Sequence, residues 1–209
     1  PETTDMMLIA THPDDELLWF GGLLPTMAGE KKLKVAVMFT RIGPMAERRN
    51  ELLDALWTCG VKYYPLLPEG ENPDNFTQYI VQGLRRCKPR VVYTQDIHGE
   101  YGHSFHKKTV KAVISAVTKQ SGRRKYDTSS AKQYGIWQPE ELWLHLWPEN
   151  AVTFNWNTPL ESFNGMTGLA VAKVAFRKHA SQQYGKYQVL DSGPYDCRQF
   201  GLFWRKQAP

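Results

Sequence analysis

Five consecutive apolar residues, Val35-Ala36-Val37-Met38-Phe39, leave nothing polar to turn toward water and describe a strand covered on both faces. Similar short runs recur along the chain and alternate with longer amphipathic stretches. That alternation constrains the chain to βαβ units built around a mainly parallel sheet. The runs predict strands over Met6–Thr11, Leu33–Thr40, Val61–Leu67, Arg90–Gln95 and Leu142–Leu146. The amphipathic stretches predict helices over Pro13–Leu24, Met45–Cys59, Asn75–Cys87, His103–Lys119 and Met166–His179. In the second helix Leu52, Leu53, Leu56 and Trp57 recur near helical spacing, and Gly60 offers a stop. The aromatic-rich tail from Gly193 to Trp204 is a candidate late strand. Gln120 to Gln138 is polar with little periodicity, and reads as a long loop, either a lid that carries substrate choice or an insertion without a role.

The 209 residues contain no repeat, linker or low-complexity tract, which predicts one domain over residues 1–209 with its core spanning about residues 5–190. A net charge of +5 is spread over short clusters (Lys31, Lys32 and Lys34; Lys107 and Lys108; Arg123, Arg124 and Lys125). None alternates with aromatics, so no nucleic-acid partner is expected. No apolar run approaches the ~20 residues of a membrane span, and no basic-then-apolar leader is present. The first residue is Pro1, as expected of a processed or excised piece, so a cytoplasmic and an exported location both stay open, as does oligomeric state. Cys59, Cys87 and Cys197 lie far apart, without a CxxC signature, and read as buried thiols.

Two constellations carry chemistry. The first strand runs into Thr11-His12-Pro13-Asp14-Asp15-Glu16. Proline suits the first turn of a helix and acids there favour the helix dipole, so Asp14, Asp15 and Glu16 have a purely structural reading. His12 does not: it sits at the carboxyl end of a strand, where open α/β sheets bind ligands. The fourth strand is followed by Asp96-Ile97-His98-Gly99-Glu100-Tyr101-Gly102-His103-Ser104-Phe105-His106, which places three of the six histidines within nine residues. The two loops are expected to meet at one sheet edge. Two histidines and a carboxylate with open positions form a catalytic coordination set, zinc by default, although iron(II) fits the same ligands.

Together the constellations resemble the PIG-L/LmbE family of zinc-dependent N-acetylglucosaminyl deacetylases. The family's A-H-P-D-D-E is matched by Thr11–Glu16, and its Y-G-H-P-D-H by Tyr101–His106, with Ser104-Phe105 in place of Pro-Asp. Gly21-Gly22, an Arg-x-x-Glu from Arg48 to Glu51, and an H-x-S-Q from His179 to Gln182 extend the likeness from residue 8 to residue 182. The resemblance implies a Rossmann-like α/β fold with helices on both faces of the sheet. It implies a substrate bearing an N-acetyl amino sugar, small or glycoconjugate, whose amide carbonyl is attacked by a metal-bound water. It implies His12, Asp15 and His106 as metal ligands and Asp14 as general base. His103 becomes general acid or oxyanion partner, Tyr101 assists at the tetrahedral intermediate, and Arg48 binds sugar hydroxyls. Two rivals stand beside it. Gly102-His103-Ser104-Phe105 opens like a serine-hydrolase elbow but ends on His106 where close packing requires glycine. A silent carbohydrate-binding module would use aromatics such as Trp143 and Trp147 for stacking.

Overall fold

The structure is a computed structural model that describes residues 3–43, 46–183 and 185–207. Its strands are β1 (Thr4–Ala10), β2 (Val35–Phe39), β3 (Pro89–Thr94), β4 (Glu141–His145), β5 (Ala151–Thr153) and β6 (Gln199–Arg205). They form one sheet in the order β2-β1-β3-β4-β6-β5. The pairings β1–β2, β1–β3 and β3–β4 are parallel, whereas β6 runs antiparallel to both β4 and β5. The α-helices are α1 (Asp15–Leu18), α2 (Ala46–Thr58), α3 (Phe76–Cys87), α4 (Ser104–Ser115), α5 (Thr128–Tyr134) and α6 (Gly168–Phe176).

The period of two along each strand divides the interior into two cores. Met6, Leu8 and Ala10 of β1, with Val37 and Phe39 of β2, pack against Leu17, Leu52, Leu56, Ala172 and Phe176 from α1, α2 and α6. Met7, Ile9, Ala36 and Met38 face the other way, onto Ile80, Leu84, Val110 and Val113 of α3 and α4. Burial of each large aliphatic side chain contributes about 1.5–3 kcal/mol, so the sheet is held from both sides. The late strand does form as β6. Phe200, fully buried, carries the core beyond the expected limit near residue 190.

Three expectations are corrected. Val61–Leu67 is not a strand: only Leu66 bridges to Met38, because Pro65 has no N–H to donate and Tyr63 and Tyr64 turn out to solvent. Pro13–Leu24 is not one helix. α1 stops after one turn near Gly21, whose φ of 50° is left-handed, and a π-helical turn at Pro25–Glu30 follows. A Cβ on Gly21 would run into the Cys197 sulfur, so glycine is required there for space as well.

The third correction concerns Gln120–Gln138. It is neither structureless nor near the strand ends that carry the histidines, for it contains α5 and wraps the fully buried Arg85 of α3. That guanidinium donates to the carbonyls of Arg123, Tyr126 and Asp127 and to Ser130 Oγ, each at 2.8 Å. Trp137 Nε1 then donates to the carbonyl of Pro89, the first residue of β3. The segment is tied to the amino ends of the strands, the edge opposite the histidine turns. Met45, the expected start of the second helix, lies outside the described residues.

The strand order reverses at β1: the chain leaves it for β2 on one side and later returns to β3 on the other. A sheet wound this way opens a crevice at the carboxyl ends of the strands flanking the reversal. The turn after β1 and the loop after β3 both enter that crevice.

Candidate metal centre

The two loops are laced together before either histidine is placed. Gln95, just past β3, accepts at Oε1 from Thr11 N (2.8 Å) and Thr11 Oγ1 (2.6 Å). Thr11 Oγ1 also lies 2.9 Å from Thr109 Oγ1 on α4, and Thr109 Oγ1 lies 2.6 Å from Thr40 Oγ1 at the end of β2, so the three hydroxyls form one chain. Thr11 and Gln95 were not singled out from the sequence, because a buried Thr–Gln pair 84 residues apart leaves no local signal.

On this frame three donor atoms converge. His12 Nδ1 lies 3.2 Å from His106 Nε2, and each lies 3.3 Å from Asp15 Oδ2. Donors about 2.0–2.1 Å from a tetrahedral zinc ion are ~3.3–3.4 Å apart, so the triangle has the dimensions of three tetrahedral ligands. Each member is held from behind. Asp15 Oδ2 accepts from His12 N, and Asp15 Oδ1 accepts from Trp19 Nε1, both at 2.7 Å. Burial works against the Asp15 carboxylate, but the neighbouring His106 and His12 hold its pKa well below the usual range. His106 Nδ1 lies 2.7 Å from Glu100 Oε2, and donation across that contact leaves Nε2 with its lone pair toward the triangle. Burial pushes His106 down, yet the Asp15 and Glu100 carboxylates raise it above the ordinary imidazole value. Glu100 Oε1 accepts from Asp96 N (2.9 Å) and lies 3.2 Å from His145 Nδ1. Glu100 and His145 are the buried neighbours of the donor triangle that sequence reasoning missed. Glu100 sits inside the second motif, where a carboxylate among histidines was the signal.

His103 stands closer to solvent. A nitrogen from each of His12, His103 and His106 lies within 4.8 Å of the others, so this group too can hold a metal ion. His103 Nδ1 is buried and, among the described residues, has no hydrogen-bond partner. Where Phe105 replaces the expected aspartate, its ring packs against Phe76 and the Arg41 guanidinium lies over it at 4.2 Å. Burial, with His106 and His12 alongside, pushes the His103 pKa down to about 4. Tyr101 is partly exposed, stacks on Tyr187 with centroids 4.3 Å apart, and has its phenol raised by burial and by Asp15.

Asp14 is the strained member. Its φ of 139° and ψ of −30° are rare for a residue with a Cβ and cost about 1–3 kcal/mol. Burial and Asp15 raise its pKa well above the carboxylate range, and Arg48, with Nη2 3.7 Å from Asp14 Oδ2, pulls the other way. Arg48 is turned inward: Nη2 donates to the Pro13 carbonyl at 2.8 Å, while Nε is buried without a partner among the described residues. The Arg-x-x-Glu and H-x-S-Q segments dock on one another, with Ser181 Oγ donating to Glu51 Oε2 at 2.6 Å. Ser104 opens α4 exposed to solvent, and Trp147 packs on Phe203 of β6. Neither position favours the serine-hydrolase or the stacking-module rival.

A family model described as PIG-L, GlcNAc-PI de-N-acetylase, matches residues 7–117. A curated relative from Frankia casuarinae, 1D-myo-inositol 2-acetamido-2-deoxy-alpha-D-glucopyranoside deacetylase 1, is 23% identical over 74% of this chain and 64% of its own length. The chain thus spans under two thirds of that relative. The crystal structure of N,N'-diacetylchitobiose deacetylase from Pyrococcus horikoshii superposes with a TM-score of 0.64 at 18% identity, covering 86% of this chain and 71% of that one. The 4-carboxy-2-hydroxymuconate hydratase of Pseudomonas putida shares the fold at a TM-score of 0.56 and 11% identity, over 100% of this chain and 98% of its own. At these identities the likeness is one of fold, and fold alone does not select a reaction.

Proposed function

Because the chain belongs to the PIG-L family, we propose that it is a metal-dependent hydrolase that removes an N-acetyl group from an amino sugar or its conjugate. The observation that carries the reading is the triangle of His12 Nδ1, Asp15 Oδ2 and His106 Nε2 at 3.2–3.3 Å spacing. These three atoms are the ligands on this reading. The wider trio that substitutes His103 for Asp15 lacks a carboxylate to offset the cation's charge. When bound, the divalent cation, zinc first and iron(II) second, supplies Lewis acidity and makes water nucleophilic near neutral pH.

The chain's own residues do the rest. Asp14, with its carboxyl raised by burial, takes the proton from the attacking water. His103 stays neutral at pH 7 and offers a ring N–H to the oxygen of the attacked carbonyl, so it acts as oxyanion partner more than as a pre-charged acid. Tyr101 adds its hydroxyl beside it, and its raised phenol keeps that proton available. The C–N bond of the amide breaks, acetate leaves, and the amine takes up the proton held by Asp14. Arg48 has Nη2 committed to Pro13 and would reach a sugar hydroxyl only through its remaining nitrogens.

The test is metal analysis joined to acetate release across a panel of N-acetyl amino sugars. Asp15→Ala and His106→Ala are expected to lose metal and activity together, whereas His103→Ala keeps the metal. Metal retained in Asp15→Ala and lost in His103→Ala would move the site to the histidine trio. One tightly held metal with no acetate released from any sugar would remove the deacetylase reading.

A further inference from the structure

Both polar atoms of one peptide unit in the first histidine turn are held by side chains, one from α2 and one from α1 itself. Arg48 Nη2 donates to the Pro13 carbonyl at 2.8 Å, and the Asp14 N–H donates to Glu16 Oε2 at 2.7 Å. The other oxygen of Glu16 lies 2.6 Å from His179 Nε2, delivered from beyond the end of α6. Glu16 and His179 are both fully buried, and neither belongs to the donor triangle. Read as a helix-starting acid, Glu16 would face solvent. Instead its carboxylate is spent on the peptide one position outside α1. A buried carboxylate–imidazole pair is costly to desolvate, and an apolar pair of similar size is often tolerated in its place, so packing alone does not call for it.

We propose that Glu16, braced by His179, and Arg48 form a clamp on the Pro13–Asp14 peptide that holds Asp14 at its left-handed φ and thereby aims the Asp14 carboxylate. Glu16 and His179 are positioning residues acting through Asp14, and the inference rests on Asp14 being the proton acceptor. Fixing the 13–14 peptide plane sets where the Asp14 Cα–Cβ bond points while His12 and Asp15 remain anchored by their own hydrogen bonds. The clamp therefore separates aiming the base from holding the metal.

The experiment compares the zinc-loaded chain with Glu16→Gln, with Glu16→Met/His179→Leu, and with both sets in an Asp14→Asn background. Glu16→Met/His179→Leu removes the acceptor without leaving a buried charge unpaired, so the fold is retained. It is expected to bind zinc within about threefold of the unaltered chain, to lower kcat by about tenfold or more with KM little changed, and to lose hydrogen-exchange protection at the Asp14 amide. Glu16→Gln keeps most activity and protection, because its carbonyl oxygen still accepts from Asp14 and its amide faces the other tautomer of His179. In the Asp14→Asn background the double substitution costs under about twofold, the non-additivity of residues that act as one unit. An equal loss in both backgrounds, a rise in KM alone, or an unaltered Asp14 exchange rate overturns the clamp. Full turnover in Asp14→Asn itself would instead sink the parent reading, and the exchange rate, which needs no turnover, would still decide whether the clamp exists.

Discussion

Asp14 and Asp15 are adjacent in sequence yet differ in every physical respect that matters for catalysis. Asp15 is anchored at both oxygens and pulled down by histidines, while Asp14 is strained, raised by burial and by its acidic neighbours, and opposed by Arg48 and His179. Substituting Asp14 by Ala is therefore expected to leave metal content unchanged and to lower kcat by about 10²-fold or more, measured as acetate released per bound metal. Unchanged turnover would remove the proton-acceptor role. Glu100 gives a second prediction. Glu100→Gln weakens the contact that sets the His106 ring, and outer carboxylates of this kind are worth about 10–100-fold in metal affinity, so competition with a chelator should show a loss of that size. His103 gives a third. Its imidazolium is disfavoured by burial and by neighbouring histidines, so the ring C–H resonances of the metal-free chain should titrate near pH 4 and not near 6.5. Its depressed folded value means the unfolded chain binds the extra proton first. The stability tied to neutral His103 is complete above about pH 6.5 and is lost as pH falls toward 4. A midpoint at the ordinary imidazole value would remove the argument for a neutral oxyanion partner.

Among the elements, α3 does two jobs. Its apolar face, from Phe76 through Leu84, covers the sheet, while Arg85 reaches off the helix to collect carbonyls of the segment beyond α4. Main-chain oxygens buried around a guanidinium lose their donors when it is removed, and each costs about 1–3 kcal/mol if left unpaired. Arg85→Met should lower the unfolding free energy by several kcal/mol and expose residues 120–130 to proteolysis. Acetate release per folded molecule should stay near its original value, because this segment hangs from the opposite sheet edge. Loss of activity in parallel with digestion would show that the segment communicates with the metal turns. The short α1 carries another lesson: apolar spacing from Pro13 to Leu24 looked helical, but the packing of Gly21 against Cys197 and of Gly22 against Trp156 breaks the run after one turn.

In the whole molecule, the candidate site and the Arg85-centred segment fall at opposite edges of the parallel strands. The reversal of strand order at β1 gathers the turn after β1 and the loop after β3 at the carboxyl edge, and the Arg85-centred segment closes the amino edge. Tyr187, stacked on Tyr101, brings the late part of the chain to the rim of the site. Substrate choice is accordingly expected to follow Tyr187 and not the 120–138 segment. Tyr187→Ala should raise KM by about tenfold with metal content unchanged, since stacking on a ring is worth roughly 1 kcal/mol or more. Exchange of residues 128–134 for another short helix should leave KM unaltered. The reverse outcome would return specificity to the long polar segment.

The amino-acid sequence by itself determined the α/β class, four of the sheet's strands, the candidate late strand, and the two motifs that hold His12, Asp14, Asp15, Tyr101, His103 and His106. Those features are written in local periodicity and in short spacings, where one residue type after another has a reason to be there. Only the tertiary structure decided that Val61–Leu67 would not pair, that the polar segment would lie on the wrong edge for a lid, and that Arg48 would turn inward. It alone joined Thr11 to Gln95, Glu51 to Ser181 and Glu16 to His179 across 84, 130 and 163 residues. Buried hydrogen bonds between distant polar groups have no period along the chain. Which partner satisfies which is settled only when packing the two cores excludes water and leaves each donor one acceptor within reach.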